Sequence, residues 1–288
     1  MKIRKSSRRQ GKQTSVRNRG EWKYQLILIL SLIVMMYPIV YMIGTSFKTL
    51  QDIFASGLNV FTANPTTANY TQVIEANDVW RLLRNSLTIA LIVTVSKILT
   101  SVLASYCLCF MNLKHPELIF GLFTVSMFIP FSVIMIPNYL TLSQMGLNNT
   151  LLGVALPQLA DAMGIYRIRQ SMRTIPKPLI EAARLDNVGH FTILRRIVLP
   201  LVKPAVIAMI IFFFINSWNE FVWPMLILKR QELYTITLAL QTFLDSESGS
   251  AWGSSMALAT IATLVPMVLY IFAQRKIIGT FMQSGVKE

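Results

Sequence analysis

Three ionisable side chains, Lys97, Asp161 and Glu220, stand inside long apolar stretches. A charge at the centre of a bilayer costs about 2.5–3.5 kcal/mol on insertion scales, so each is expected to face protein or water rather than lipid. Their chemistry would suit either an ion relay or the polar lining of a solute path. Asp161 can pair with Lys97 or simply end the short fourth apolar stretch, and the residues alone leave both open. Glu220 sits in Ser217-Trp218-Asn219-Glu220-Phe221-Val222-Trp223-Pro224. With Trp218, Asn219 and Trp223 it forms a candidate translocation lining. The alternative is packing against a neighbouring chain, or a place at the outer interface with the tryptophans as an interfacial belt. Cys107 and Cys109 point away from one another on a helix, so neither a shared metal nor a disulfide is expected. Gly11-Lys12-Gln13 lacks the first glycine and the hydroxyl of a phosphate-cradling Gly-x4-Gly-Lys-Ser/Thr loop, so ATP is not expected to bind here by that route. No catalytic, cofactor-binding or metal-ligating set is expected on this chain.

The elements that position these residues must be membrane helices. Of the 288 residues 53% are hydrophobic and 14% charged, and the mean hydropathy is +0.52. A soluble domain needs more charge to cover its surface. About 20 apolar residues cross the hydrocarbon core as a helix, and six stretches qualify: 25–47, 86–111, 118–142, 150–167, 205–228 and 254–274. The fourth is short and carries Pro157 and Asp161; the third is long and uncharged. A closed barrel is the other spanning solution, but these runs lack its period-two alternation. The first run exceeds the h-region of a signal peptide and lacks a small-x-small cleavage site, so it reads as a retained span.

The net charge of +14 raises nucleic-acid binding, but the placement of the charge argues against it. Lys2, Arg4, Lys5, Arg8, Arg9, Lys12, Arg17, Arg19 and Lys23 precede the first span, against one acid, Glu21. Such an arm, over 1–24, sets topology and touches anionic membrane lipid. With six spans, 21 of the 27 basic residues fall on the side of the two termini and of loops 111–118 and 168–204. That asymmetry predicts cytoplasmic N- and C-termini for an all-α, six-helix domain over 25–288.

The cytoplasmic stretch 174–200 reads as structure rather than linker. Pro178 suits the first turn of a helix, Glu181 complements its positive start, and Ala182, Ala183, Arg184 and Leu185 favour it. Asn187 and Gly189 tolerate left-handed backbone angles and stop it after Asp186. A second short helix follows, with Phe191, Leu194 and Val198 on one face beside Ile193 and Ile197, and Pro200 ends it. Periodicity alone admits two uses: a helix pair lying on the headgroups, or a knob for a soluble partner's groove.

The same stretch resembles the signature of the inner-membrane permease subunits of binding-protein-dependent ABC importers, in the carbohydrate class, of the maltose-type second permease kind. That signature is Glu-Ala-Ala, three residues, Gly, nine residues, Ile-x-Leu-Pro. Here it is Glu181-Ala182-Ala183, then Asn187, then Ile197-Val198-Leu199-Pro200. Asn187 replaces the Gly, and Asn is a good tolerator of the left-handed turn. Further similarity lies in Pro65-Thr66-Thr67-Ala68-Asn69-Tyr70, Asn85-Ser86, Pro130, Pro137, Gly146-Leu147-Asn148-Asn149-Thr150, Arg169-Gln170, the stretch from Ser217 to Pro224, Gln274-Arg275 and Gly285-Val286-Lys287.

The resemblance implies a multi-pass protein of the bacterial inner membrane that is not itself an enzyme. It implies a homologous second permease, two cytoplasmic ATPases carrying MgATP, an extracytoplasmic solute-binding protein and a sugar-like solute as partners. The Glu-Ala-Ala loop would be the coupling helix, with Glu181, Ala182, Ala183, Asp186, Asn187, Gly189, Ile197, Leu199 and Pro200 docking the ATPase. Glu181 would make a charge contact, and the two alanines would permit close approach. The Glu220 region would suit a sugar, which is apolar on one ring face and hydroxyl-rich at its edge. The competing class is an ion-coupled secondary transporter or channel using Lys97, Asp161 and Glu220. Against it, no internal repeat or filter-like motif is evident.

Overall fold

The computed structural model describes residues 21–76, 78–246 and 252–284, and every regular element among them is helical. In chain order these are α1 (Glu21–Ser46), α2 (Leu50–Ser56), α3 (Ala68–Ala76), α4 (Val79–Phe110), α5 (Pro116–Ser126), α6 (Phe131–Gln144) and α7 (Leu151–Ala155). There follow α8 (Ala162–Met172), α9 (Lys177–Leu185), α10 (His190–Ile193), α11 (Leu199–Asn219), α12 (Val222–Ile227), α13 (Ile236–Ser246) and α14 (Trp252–Ser284). Residues 1–20 of the basic arm and the Gly285-Val286-Lys287 tail lie outside the described residues, and 21–24 already belong to α1.

Among the described residues four helices are long and apolar enough to cross a membrane: Trp22–Ser46, Val79–Phe110, His190–Asn219 and Trp252–Gln274. They correspond to the first, second, fifth and sixth expected spans. The third is not one helix, as its uninterrupted hydropathy suggests, but α5 and α6 meeting at 93°. The cause is Pro130, which precedes α6 in extended backbone (φ −62°, ψ 139°). Its ring clashes with the carbonyl four residues back and biases the residue before it away from helix. The fourth expected span, 150–167, divides in the same way into α7, a 3₁₀ turn Leu156–Gln158 containing Pro157, and α8. The fifth, placed at 205–228, is interrupted: α11 stops at Asn219, Glu220 is extended, and α12 starts afresh.

α4 is the central post, packed on α8 and α11, while α14 packs on α1, α3, α11 and α13. Asparagines from the motif stretches pin the loops between helices. Asn69 Nδ2 donates to Ser46 O and Lys48 O, both at 2.8 Å. Asn85 Nδ2 donates to Glu232 O (2.9 Å) and Tyr234 O (3.1 Å), and Ser86 Oγ accepts from Ile236 N (2.8 Å). Asn149 Oδ1 accepts from Lys229 N and Arg230 N at 2.9 and 3.1 Å. Each amide satisfies backbone groups that end their helices without partners. These residues, whose role the sequence did not declare, are structural clamps.

Candidate functional site

The loop between α8 and α11 is an ordered device with two faces. Pro176 caps α9 and Pro178 sits in its first turn. The helix stops as Asn187 predicts. Asn187 takes φ 53°, its N–H bonds Arg184 O (3.0 Å), and Val188 N–H bonds Ala183 O (3.0 Å). These paired bonds form a Schellman ending. Gly189, expected to be left-handed as well, is instead extended (φ −66°, ψ 150°) and starts α10.

The second helix does not end at Pro200. It runs on from His190 to Asn219, through a π turn over Leu194–Val198. Leu199 N–H bonds Leu194 O, five residues back. The wide turn absorbs the proline, whose missing donor and bulky ring would break a regular α-turn.

Ile180 and Ala183 of α9 are buried with Tyr106 of α4, Met172 of α8, and Ile193 and Val198 of the π-turn segment. Ala183, expected to face a partner alongside Ala182, is therefore committed to the chain's own core. Glu181, Ala182, Asp186, Asn187 and Gly189 are exposed, and Leu185 is 84% exposed. Phe191, expected to share one face with Leu194 and Val198, is exposed while those two are buried. Ile197 and Leu199 pack against the buried cluster, whereas Pro200 is exposed. Glu181 lies beyond the first turn of α9, where the helix-end field has largely faded.

α8 is fixed beside this loop by Arg169, which is buried although charge patterning places it with the cytoplasmic basic residues. Its Nη2 lies 2.6 Å from Glu117 Oε1 at the start of α5. Its guanidinium lies 3.9 Å from the Phe120 ring centroid. The interaction ties α5 to α8 by charge and by cation–π attraction.

The three helix breaks converge on one cavity of about 410 Å³. The α5–α6 bend contributes Met127, Ile129 and Phe131; the gap before α8 contributes Pro157, Gln158, Ala160 and Asp161; the gap before α12 contributes Glu220 and Trp223. Lys97 of α4, Ser126 and Asn138 add polar groups. All three ionisable residues of the apolar runs thus meet here. Of the two readings of Asp161 the ion pair holds, with Oδ2 3.2 Å from Lys97 Nζ; the residue does not end the fourth expected span but starts α8, where Oδ1 accepts from Gly164 N (3.0 Å). Glu220 Oε1 accepts from Trp223 N at 3.2 Å, serving the start of α12.

Two expected lining residues lie elsewhere. Trp218 is 1% exposed and donates from Nε1 to Ala262 O (3.1 Å), locking α11 to α14. Asn219 is exposed and does not line the cavity. Trp223 does line it, but its Nε1 is committed to Val154 O (3.2 Å). Asn138 and Gln158 were not foreseen. The prolines beside them, Pro137 and Pro157, were the available signal.

The described residues thus form a helical bundle in which interrupted helices open on a polar cavity, an arrangement that membrane transporters use along a solute path. Residues 98–279 match the family of binding-protein-dependent transport system inner membrane components, and the chain belongs to that family. It is similar to the sn-glycerol-3-phosphate transport system permease protein UgpE of Agrobacterium fabrum, 30% identical over 258 residues covering 87% of this chain and 92% of that protein. It is similar also to the arabinooligosaccharides transport system permease protein AraQ of Bacillus subtilis, 30% identical over 263 residues covering 90% and 93%. In fold it resembles a bacterial ABC transporter involved in the import of the acidic polysaccharide alginate, with a TM-score of 0.78 at 20% identity, over 88% of this chain and 95% of that one. The chain is the permease component of an ABC importer that works with a binding protein, and ATP hydrolysis belongs to a separate subunit. The ion-coupled alternative is not favoured, although its three residues do share a cavity.

Proposed function

We propose that this chain carries a sugar or a similar polyhydroxylated solute across the inner membrane by alternating access. It does so beside a homologous second permease, with two cytoplasmic ATPases holding MgATP and an extracytoplasmic binding protein delivering the solute. The bent pair α5–α6 and the pair α7–α8 each count as one crossing, giving six with both termini cytoplasmic, in keeping with the placement of the basic residues. The solute class follows the relative named for arabinooligosaccharides rather than the one named for sn-glycerol-3-phosphate.

The observation that carries the reading is the two-faced α9. Its outer surface, with Glu181, Ala182, Leu185, Asp186 and Asn187, is free to enter a partner's groove. Its inner surface, Ile180 and Ala183, belongs to the same cluster as α4, α8 and the base of α11. Gly189, Ile197, Leu199 and Pro200 shape the return into α11. Closure of the ATPases on α9 would move those helices together and open the cavity at the breaks toward the binding protein. ATP needs only a few kcal/mol of differential affinity to shift such a two-state equilibrium. Glu181→Lys in the reconstituted importer is expected to lower ATP-driven uptake at least about tenfold, a loss of about 1.4 kcal/mol of coupling, with the chain still inserted. Uptake at the parent rate would refute the docking role.

A further inference from the structure

We propose that the cavity at the three helix breaks selects uncharged polyhydroxylated solutes and turns anionic ones away, with Asp161 and Glu220 as the specificity-determining side chains. The inference rests on the cavity being part of the solute path.

The charged side chains on its wall are one cation, Lys97, and two carboxylates, Asp161 and Glu220. Lys97 is already engaged: Nζ lies 3.2 Å from Asp161 Oδ2 and 5.2 Å from the Phe213 ring centroid. The charge left over is negative and belongs to Glu220. The first turn of α8 would otherwise be a natural seat for an anion, since its backbone N–H groups point outward with a favourable dipole. It is occupied by the chain's own carboxylate, Asp161 on Gly164 N, while Glu220 accepts from Trp223 N.

The remaining polar lining, Ser126, Asn138 and Gln158, is neutral. Gln158 Nε2 donates to Val154 O (3.0 Å), leaving its amide oxygen as an acceptor for a hydroxyl. Trp223 is 1% exposed, so its ring is closed to stacking, and Phe131, 40% exposed, is the aromatic face the wall offers beside these polar groups. In a partly enclosed site the unbalanced carboxylate is screened less than in bulk water and repels a second anion.

The potential of the cavity can be read in the whole importer without relying on the binding protein's own selectivity. In a Cys107→Ser/Cys109→Ser background, Asn138→Cys is labelled with thiosulfonate reagents bearing either a trimethylammonium or a sulfonate group. Each rate is divided by that reagent's rate with 2-mercaptoethanol. The cationic reagent is expected to be favoured about fivefold, from one excess charge several ångströms away in a wet cavity. Asp161→Asn with Glu220→Gln, which keeps an acceptor at both helix starts, should bring the ratio to one or below. Should the double variant fail to assemble, Glu220→Gln alone is expected to move the ratio at least halfway. A parent ratio of one or less, or a ratio unmoved by these variants, overturns the proposal. If neither reagent reacts in any nucleotide state, the cavity is not on a water-filled path, and the reading beneath the proposal falls with it.

Discussion

The loop end of the bundle and the cavity are built on opposite principles. At the loop end, α4, α8, α9 and the base of α11 merge in one apolar cluster, where Val198 and Met172 are fully buried. At the cavity, three helical runs are interrupted at Pro130, around Pro157 and at Glu220, and the wall mixes Lys97, Asp161, Asn138 and Gln158 with apolar groups. Close packing transmits displacement because interiors are dense and hard to compress. Broken helices do the reverse: they release backbone and side-chain polarity into a space shielded from lipid, the arrangement that membrane transporters use at their binding sites. On the proposed reading, force is carried where the packing is continuous and solute is handled where it is not.

The sharpest way to break this contrast is at the paired alanines. Ala183→Asp places an unpaired carboxylate beside Ile180, Ile193 and Val198, and most of the chain is expected to vanish from the membrane fraction on an immunoblot. Ala182→Asp, one residue away and exposed, should leave abundance unchanged but abolish co-purification of the ATPase.

Gly164 comes next. A Cβ there would lie 2.3 Å from Ser101 Oγ and 2.7 Å from Phe213 Cζ. Gly164→Ala is expected to cost about 1–3 kcal/mol by overpacking α8 against α4 and α11, read as a lower thermal unfolding midpoint of the purified importer. Asn187→Ala removes the side chain that eases the left-handed turn and should cost about 1 kcal/mol, whereas Asn187→Gly should match or exceed the parent in the same melt. The smallest effect is expected from Gly189→Ala. Its Cβ meets nothing within 4 Å and its backbone angles suit any residue, so uptake and stability should stay within about 0.5 kcal/mol of the parent. Equal damage at Gly189 and Asn187 would show that the turn has been assigned to the wrong residue.

Local chemistry was legible in the sequence and register was not. Pro178 at the start of α9 and Asn187 past its end declare themselves through fixed backbone preferences, so the helix was placed to within a residue. Nothing in Glu181-Ala182-Ala183 says which alanine turns inward, because that depends on α4, α8 and the π-turn segment, which are remote in the chain. Hydropathy hides breaks for a related reason. It counts the apolar residues of 118–142 without registering the 93° bend, although Pro130 was present to suggest one. The ion pair of Lys97 with Asp161 required two distant segments to be brought together, and charge type alone left Asp161 undecided between ion-pair partner and end of the fourth expected span, while its place as the cap of α8 went unseen. The cavity depends on both omissions, so it was the least visible part of the molecule.

The π turn at Leu194–Val198 has a mechanical consequence. One extra residue in a turn rotates everything beyond it by about 100° relative to an uninterrupted helix. Pro200 has no N–H with which to restore the regular ladder, so the offset is built in. The rod from His190 to Asn219 therefore carries two faces out of step: the side chains that look toward α4 and α14 above the turn are not those an unbroken helix would have presented. Removing one residue between Leu194 and Val198 would turn Phe213, Phe214 and Trp218 away from the neighbours they now pack against.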